Sequence, residues 1–203
     1  MKLAVLGATG RTGALFVQRA LDQGHDLTVL VRDPKKLPLT HSRLSIVQGE
    51  AMKPADVAKV MEGADAVVSA LGPTKQLVEV CSAATRGVLA AGVKRYVVVS
   101  GAGLDAPGDT KNFPNKVISK LIGWFSPAMV KDKALELSLL QQSDCAWTLV
   151  RPPRLVDDAP TGHSRVALTS PPGTSLTRGD LAEFLLTCAT EGRHVREAPF
   201  IAN

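Results

Sequence analysis

Tyrosine occurs once in the 203 residues, tryptophan twice and phenylalanine five times. With so few rings to interleave with its bases, and those bases scattered rather than run together, the chain lacks the footprint of a nucleic-acid binder despite a formal net charge of +5. A mildly positive field suits a small anionic ligand instead. Cysteine is as sparse. Cys81, Cys145 and Cys188 are far apart, odd in number and without metal-ligand spacing, so they read as small core residues in a reducing compartment. The four histidines, His25, His41, His163 and His194, show no ligand spacing either, and no metal site is expected. No apolar stretch approaches a membrane span, and a glycine turn arrives at Gly7 before a signal-peptide hydrophobic region could form. No membrane partner and a cytoplasmic location are therefore expected.

What is present starts at the first residue. In MKLAVLGATGRTGALFVQ, Lys2 to Leu6 is a short apolar run bounded by Gly7, and from Thr12 onward apolar residues recur at helical spacing. A strand, a tight turn and a helix follow. In such a unit Gly7 permits the turn, Gly10 lets the backbone approach a ligand, and Gly13 lets the helix pack on its strand. The unpaired amides at the helix start favour an anion. Because the glycines sit between a strand and a helix, they predict a dinucleotide phosphate site rather than a chance loop. No Gly-Lys-Ser/Thr follows them, which argues against a phosphate-loop NTPase.

Further along, apolar strands alternate with helices. Asp26 to Arg32, Leu44 to Gly49, Ala64 to Leu71 and Arg95 to Ser100 read as strands. Pro54 to Met61 and about Lys75 to Ala91, the latter stopped by Gly92, read as helices. Strands of this kind covered on both faces predict an α/β fold, a doubly wound parallel sheet with its ligand crevice beyond the carboxyl ends of the strands. After a loop from Gly101 to Lys116, helices are expected at about Asn115 to Phe125 and Ala128 to Gln142, then a strand Trp147 to Arg151 closed by Pro152 and Pro153. Asp157 to Ser164 reads as loop and Arg165 to Thr169 as a short strand. Thr177 to Thr190 is a helix whose Thr177 and Asp180 resemble a capping box, and Ala198 to Ile201 is an edge strand. The length fits one domain, 1–203, with substrate-side elements mainly from 101–175.

The second strand ends at Arg32, with Lys35 and Lys36 close behind, where an NAD site usually places an acidic residue for the ribose 2′-hydroxyl. A guanidinium with nearby ammonium groups suits the 2′-phosphate of NADP, although Asp33 could partly neutralise Arg32.

GATGRTG, VLVRDPKKL, the SALG turn, VVVSGAG, TLVRPP and the RGDLAEFLL helix together resemble an atypical short-chain dehydrogenase/reductase with a Rossmann-type fold, in the NAD(P)-binding NmrA-like branch. The match is closest to the flavin reductase and biliverdin-IXβ reductase group. The resemblance implies NADP(H) contacts from Gly7, Thr9, Gly10, Arg11, Thr12 and Gly13 at the pyrophosphate, and from Arg32, Lys35 and Lys36 at the 2′-phosphate. It puts Leu71 and Gly72 on the adenosine side. Ser100, Pro152, Pro153 and Leu155 would flank the nicotinamide, with Lys133 near its ribose. On the substrate side it implies Ser100, Gly101, Trp124 and Arg154, with a flavin as substrate rather than prosthetic group.

The departures bear on chemistry. Classical members pass a proton from a Tyr-x-x-x-Lys pair, but Tyr96 is followed four residues on by Ser100. The flavin-reducing group dispenses with the pair, because the ring system accepts hydride directly. That group tends to carry a serine and a histidine where this chain has Gly101 and Arg154. Arg154 could grip an acidic group of the substrate or simply pair with Asp157 or Asp158. Trp124, Phe125 and Met129 could form an apolar wall for a planar ring or pack a helix onto the sheet. The expectation is a reductase of flavins, quinones or linear tetrapyrroles, a monomer or weak homo-oligomer. Its alternative is a non-catalytic NADP(H) sensor. A nucleotide-sugar epimerase is disfavoured by the missing pair.

Overall fold

A computed structural model describes residues 1–74, 77–110, 124 and 126–203. Strand β1 (Lys2–Leu6) lies at the middle of a six-stranded sheet. It pairs in parallel with β2 (Asp26–Val31) on one side and β4 (Ala66–Ser69) on the other, setting Leu3 opposite both Leu27 and Ala66. Beyond them lie β3 (Leu44–Gln48), β5 (Arg95–Val99) and β6 (Ala146–Val150), all parallel, in the order β3-β2-β1-β4-β5-β6. The chain therefore reverses its direction of winding between β1 and β4, which opens a crevice beyond the carboxyl ends of those strands.

The helices follow from their buried stripes. In α1 (Arg11–Asp22), Thr12 and Gly13, Phe16 and Val17, and Ala20 and Leu21 recur every four residues and are buried. The helix stops before Gly24, whose φ of +80° suits glycine. Together with α5 (Arg178–Glu191) it covers one face of the sheet, packing over Val5, Val29, Val68 and Val97. The other face carries α2 (Pro54–Met61), α3 (Val80–Ala90) and α4 (Pro127–Gln141) over Ala4, Leu6, Val67 and Val98. Apolar side chains on both faces explain why the strand segments read as near-continuous hydrophobic runs. No helix among the described residues is long and apolar enough to cross a membrane.

The differences from expectation are local. Strand β4 is shorter than Ala64 to Leu71 because Leu71 turns out of the ladder into the crevice. Helix α3 begins at Val80 rather than near residue 75, because the Asp132 carboxylate of α4 accepts the Cys81 and Ser82 amides, each at 3.1 Å, and so fixes its first turn. The capping box is half formed. Thr177 Oγ1 accepts the Asp180 amide, but Asp180 does not return to the Thr177 amide, which Asn203 Oδ1 satisfies. The helix expected at Asn115 to Phe125 lies outside the described residues except for Trp124. The strands expected at Arg165 to Thr169 and Ala198 to Ile201 form as β8 (Arg165–Ala167) and β10 (Phe200–Ala202), antiparallel to each other, whereas the parallel pair β7 (Arg154–Val156) and β9 (Ser175–Thr177) escapes the sequence reading.

Two buried arginines hold the carboxyl-terminal third in place. Arg95 donates to the Cys188 and Arg193 carbonyls at 2.7 and 2.9 Å, to Ala146 O at 2.7 Å and to Thr148 Oγ1 at 2.7 Å, with no carboxylate partner among the described residues. The carbonyl end of α5 stands in for one. Arg151, 1% exposed, forms a bidentate pair with Asp109 at 2.6 and 2.9 Å, donates to Ala198 O and Leu104 O, and lies 3.6 Å above the centre of the Phe200 ring. It ties the loop after β5 to β10.

Candidate functional site

The loop after β1 is shaped by its glycines, each for a different reason. Gly7 has φ +84°, and a Cβ there would lie 2.8 Å from the Ala70 carbonyl carbon. At Gly13 a Cβ would lie 2.1 Å from Gly7 O, so helix and loop touch backbone to backbone. At Gly10 the nearest atom to a Cβ would be Gly7 O at 3.3 Å, with nothing else within 4 Å. That side of the loop is open. Ala14 is the first residue of α1 whose amide finds a helical carbonyl, Gly10 O at 2.9 Å. The amides before it have no intrahelical acceptor, no carboxylate stands in the first turn, and Gly10 has no side chain to cap them. Such a terminus fits a phosphate group.

At the end of β2, Arg32, Lys35 and Lys36 are all exposed. Asp33 does not neutralise Arg32, because its Oδ1 accepts the Lys35 amide at 3.0 Å. Among the described residues, Arg32 has no ion-pair partner, so its guanidinium is free to take up an anion.

Between these features and α4 the crevice widens into a largely apolar cavity of about 590 Å³. The segment after β4 contributes Leu71 and Gly72, and the end of β5 contributes Val99, Ser100 and Gly101. Pro152, Pro153, Arg154 and Leu155 follow β6. Thr12 lines it from α1 and Met129 and Lys133 from α4. Residues widely separated in the chain thus meet in one space. Ser100 Oγ is buried there with no hydrogen-bond partner among the described residues, a vacancy a ligand's polar group would fill.

Arg154 is exposed at the cavity and has no ion-pair partner among the described residues. The salt bridge weighed for it goes elsewhere: Asp157 holds Arg11 at 3.2 Å and Arg178 at 3.1 Å. Arg11, expected at the pyrophosphate, therefore points its guanidinium along the rim toward β7. Trp124 is 78% exposed and is not among the residues lining the cavity, because the face of α4 that reaches the space starts at Met129. Phe125 lies outside the described residues.

Tyr96 is fully buried within the core under α3, where its phenol meets Thr85 Oγ1 at 3.2 Å, and burial pushes its pKa well above the ordinary value. It does not reach the cavity. The cavity lysine is Lys133, whose ammonium donates to Val99 O at 2.8 Å and to Glu136 Oε2 at 2.9 Å. Burial works against its charge most strongly of any single influence, but the Glu136 carboxylate together with the Cys81 sulfur holds the lysine above its ordinary pKa. Four residues before Lys133, one helical turn along the same face, stands Met129. Met129 is thus the residue four before Lys133 on the cavity side, and its thioether has no proton to give.

Sequence reading missed Leu104 and the 171–174 segment, which also line the cavity through Pro171, Gly173 and Thr174. The second has no local signal, since its place is set by contact of Gly173 with residues 202 and 203. The i,i+3 spacing of Lys133 and Glu136 was legible, but not that the pair is buried. Among the described residues, no cluster of histidine, cysteine, aspartate or glutamate could hold a metal ion.

The family model described as NAD(P)H-binding matches residues 7–192. A stretch of 71 residues is 38% identical to the photosystem II assembly factor Ycf39 of Synechocystis, covering 34% of this chain and 22% of that protein, so the chain spans about a fifth of that relative's length. The solved structure of SP1627, a putative NADH-flavin reductase from Streptococcus pneumoniae TIGR4, is 26% identical, covers 100% of this chain and 99% of that one, and superposes with a TM-score of 0.76. ChuY, an anaerobilin reductase from Escherichia coli O157:H7, superposes with a TM-score of 0.81 over 100% of this chain and 97% of that one. At 19% identity, that likeness shows the fold.

Proposed function

The chain belongs to the NAD(P)H-binding family, and from that premise we propose that it is an NADPH-dependent reductase passing hydride to a flavin or another planar conjugated acceptor such as a quinone or linear tetrapyrrole. The observation that carries this reading is the open apolar cavity, walled by Ser100, Gly101 and the double proline, with Met129 as the residue four before Lys133. Bound NADP(H) supplies the hydride. The residues of this chain bind, orient and exclude water: the amides at the start of α1 take the pyrophosphate, Arg32, Lys35 and Lys36 take the 2′-phosphate, and Leu71 and Gly72 take the adenosine side. Ser100 offers its unused hydroxyl beside the nicotinamide, and Lys133 holds the ribose. An acceptor that takes hydride into an extended π-system needs no acid from the protein, which agrees with the methionine. The description of SP1627, a putative NADH-flavin reductase 26% identical to this chain, supports a flavin as acceptor. The substrate side draws mainly on 101–175, and the protein acts in the cytoplasm as a monomer or weak homo-oligomer.

The experiment is NADPH oxidation with FMN, FAD, quinones and biliverdins. Turnover with at least one is expected, and tight NADPH binding with no turnover for any acceptor would transfer the reading to an NADP(H) sensor. Two variants test the assigned cations. Arg32→Ala should weaken NADPH binding by about 1.5–3 kcal/mol, the worth of a hydrogen bond to a charged group, and leave NADH nearly unchanged. Equal losses for both cofactors in a fluorescence titration would remove Arg32 from the 2′-phosphate. Arg154→Ala should raise KM for FMN about tenfold with little change for riboflavin, because it removes binding shared by ground and transition states. If both flavins respond alike, Arg154 does not read the acceptor's acid group.

A further inference from the structure

Behind the cavity lysine runs a closed chain of polar groups in an otherwise apolar layer. Lys133 Nζ donates to Glu136 Oε2 at 2.9 Å, and Glu136 Oε1 accepts from Thr85 Oγ1 at 3.2 Å. A hydroxyl has one proton, so Thr85, having given its own to the carboxylate, accepts from the Tyr96 phenol at 3.2 Å. Tyr96 and Thr85 are fully buried, Glu136 is 1% exposed, and only Lys133 reaches the cavity. A buried ion pair of this kind is a poor source of stability, since the desolvation of both charges offsets their attraction, and packed apolar residues would serve the fold as well or better. A local need for charge at the cavity explains it better.

We propose that Glu136, braced by Thr85 and Tyr96, is a positioning residue that keeps Lys133 charged and directed across the floor of the cavity. The proposal rests on the reading of Lys133 as a ligand of the cofactor ribose. Two of the three ammonium N–H bonds are committed, to Val99 O and to Glu136, which fixes the direction of the third. The nearby Cys81 thiol turns toward the Leu71 carbonyl at 3.7 Å and is a weak acceptor, so it does not compete with a ribose hydroxyl for that third bond. The remaining groups around the ammonium do not compete. Asp132 on the same helix is spent on the first amides of α3. The Cys81 thiol is pushed up to about 12 by burial and the Tyr96 phenol is raised as well, so both stay protonated at working pH. Without Glu136, the strongest attraction opposing burial is lost and the neutral form of Lys133 gains.

The test compares NADPH binding by fluorescence titration across pH in the full chain. In Glu136→Gln, which keeps the shape and the bond to Thr85, the affinity relative to wild type should fall about tenfold or more between pH 6 and pH 9, since a buried lysine without its counter-charge titrates within or near that range. Taking the ratio at each pH cancels the titration of the cofactor's own phosphate. A pH-independent ratio would overturn the proposal. The double variant Lys133→Met/Glu136→Leu replaces the pair by apolar groups and should melt no lower than wild type, yet bind NADPH at least tenfold more weakly. A double variant that binds NADPH as wild type does would show the pair to be purely structural. Failure of the wild type itself to bind NADPH would instead strike at the cofactor reading.

Discussion

Gly13→Ala should cost the chain its fold, while Gly10→Val, three residues earlier, leaves the fold intact and removes NAD(P)H binding. The two glycines share a loop but face opposite ways. A methyl group at Gly13 would lie 2.1 Å from Gly7 O and 2.8 Å from Gly7 C, both backbone atoms of the turn that joins β1 to α1, so relief requires the helix to leave its strand. Overpacking costs about 1–3 kcal/mol in cores whose side chains can give, and here the atoms met are backbone, so the cost lies at or beyond the upper end. At Gly10 the added Cβ meets only Gly7 O at 3.3 Å, which a small shift accommodates, but the rest of the valine covers the amides that open α1. A circular-dichroism melt with an NADPH titration separates the two. A Gly13→Ala melt within about 2 °C of wild type would refute the packing argument, where 1 kcal/mol shifts the midpoint by about 2–4 °C. Near-normal NADPH affinity in folded Gly10→Val would refute the phosphate site.

Asp109→Ala should destabilise the protein by about 3–5 kcal/mol, because it strands the Arg151 guanidinium in the interior without its counter-charge. Arg151 is 1% exposed and the carboxylate reaches it with both oxygens, at 2.6 and 2.9 Å. The carbonyls of Leu104, Leu168 and Ala198 remain after the substitution but carry only partial charge. The loop that bears Asp109 also supplies Ser100, Gly101 and Leu104 to the cavity, so a rise in acceptor KM should accompany the loss of stability. A drop in melting temperature below about 4 °C would mean that the carbonyls and the Phe200 ring suffice for the guanidinium.

The two substitutions also divide what was legible in the sequence from what was not. Gly7, Gly10 and Gly13 declare themselves by spacing, because strand, turn and helix are consecutive and each glycine acts on neighbours within a few residues. Lys2–Leu6 and Pro54–Met61 have the expected bounds for the same reason. Arg151 and Asp109 are 42 residues apart, and nothing in either neighbourhood announces the other. The strands Arg154–Val156 and Ser175–Thr177 are three residues long, too short for alternation to register, and exist because they find each other. The start of α3 was misplaced because its capping carboxylate, Asp132, comes from another helix. For the candidate site, the residues at strand ends were legible because the doubly wound pattern says where strands end. The partner of Asp157 was not, since choosing Arg11 and Arg178 over Arg154 depends on how the rim folds.

Arg95 carries a consequence for how the chain assembles. It opens β5, near the middle of the sheet, and the groups that receive its charge include the carbonyls of Cys188 and Arg193, some ninety-five residues later. Until α5 is in place that guanidinium has only water and the Ala146 and Thr148 oxygens of β6, and the apolar sheet face that α5 covers stands open, so the earlier strands with their helices are a poor stopping point. The dinucleotide half is thus no autonomous folding unit: it becomes stable in the same cooperative step that docks the carboxyl-terminal helix, and loss of that helix unfolds both.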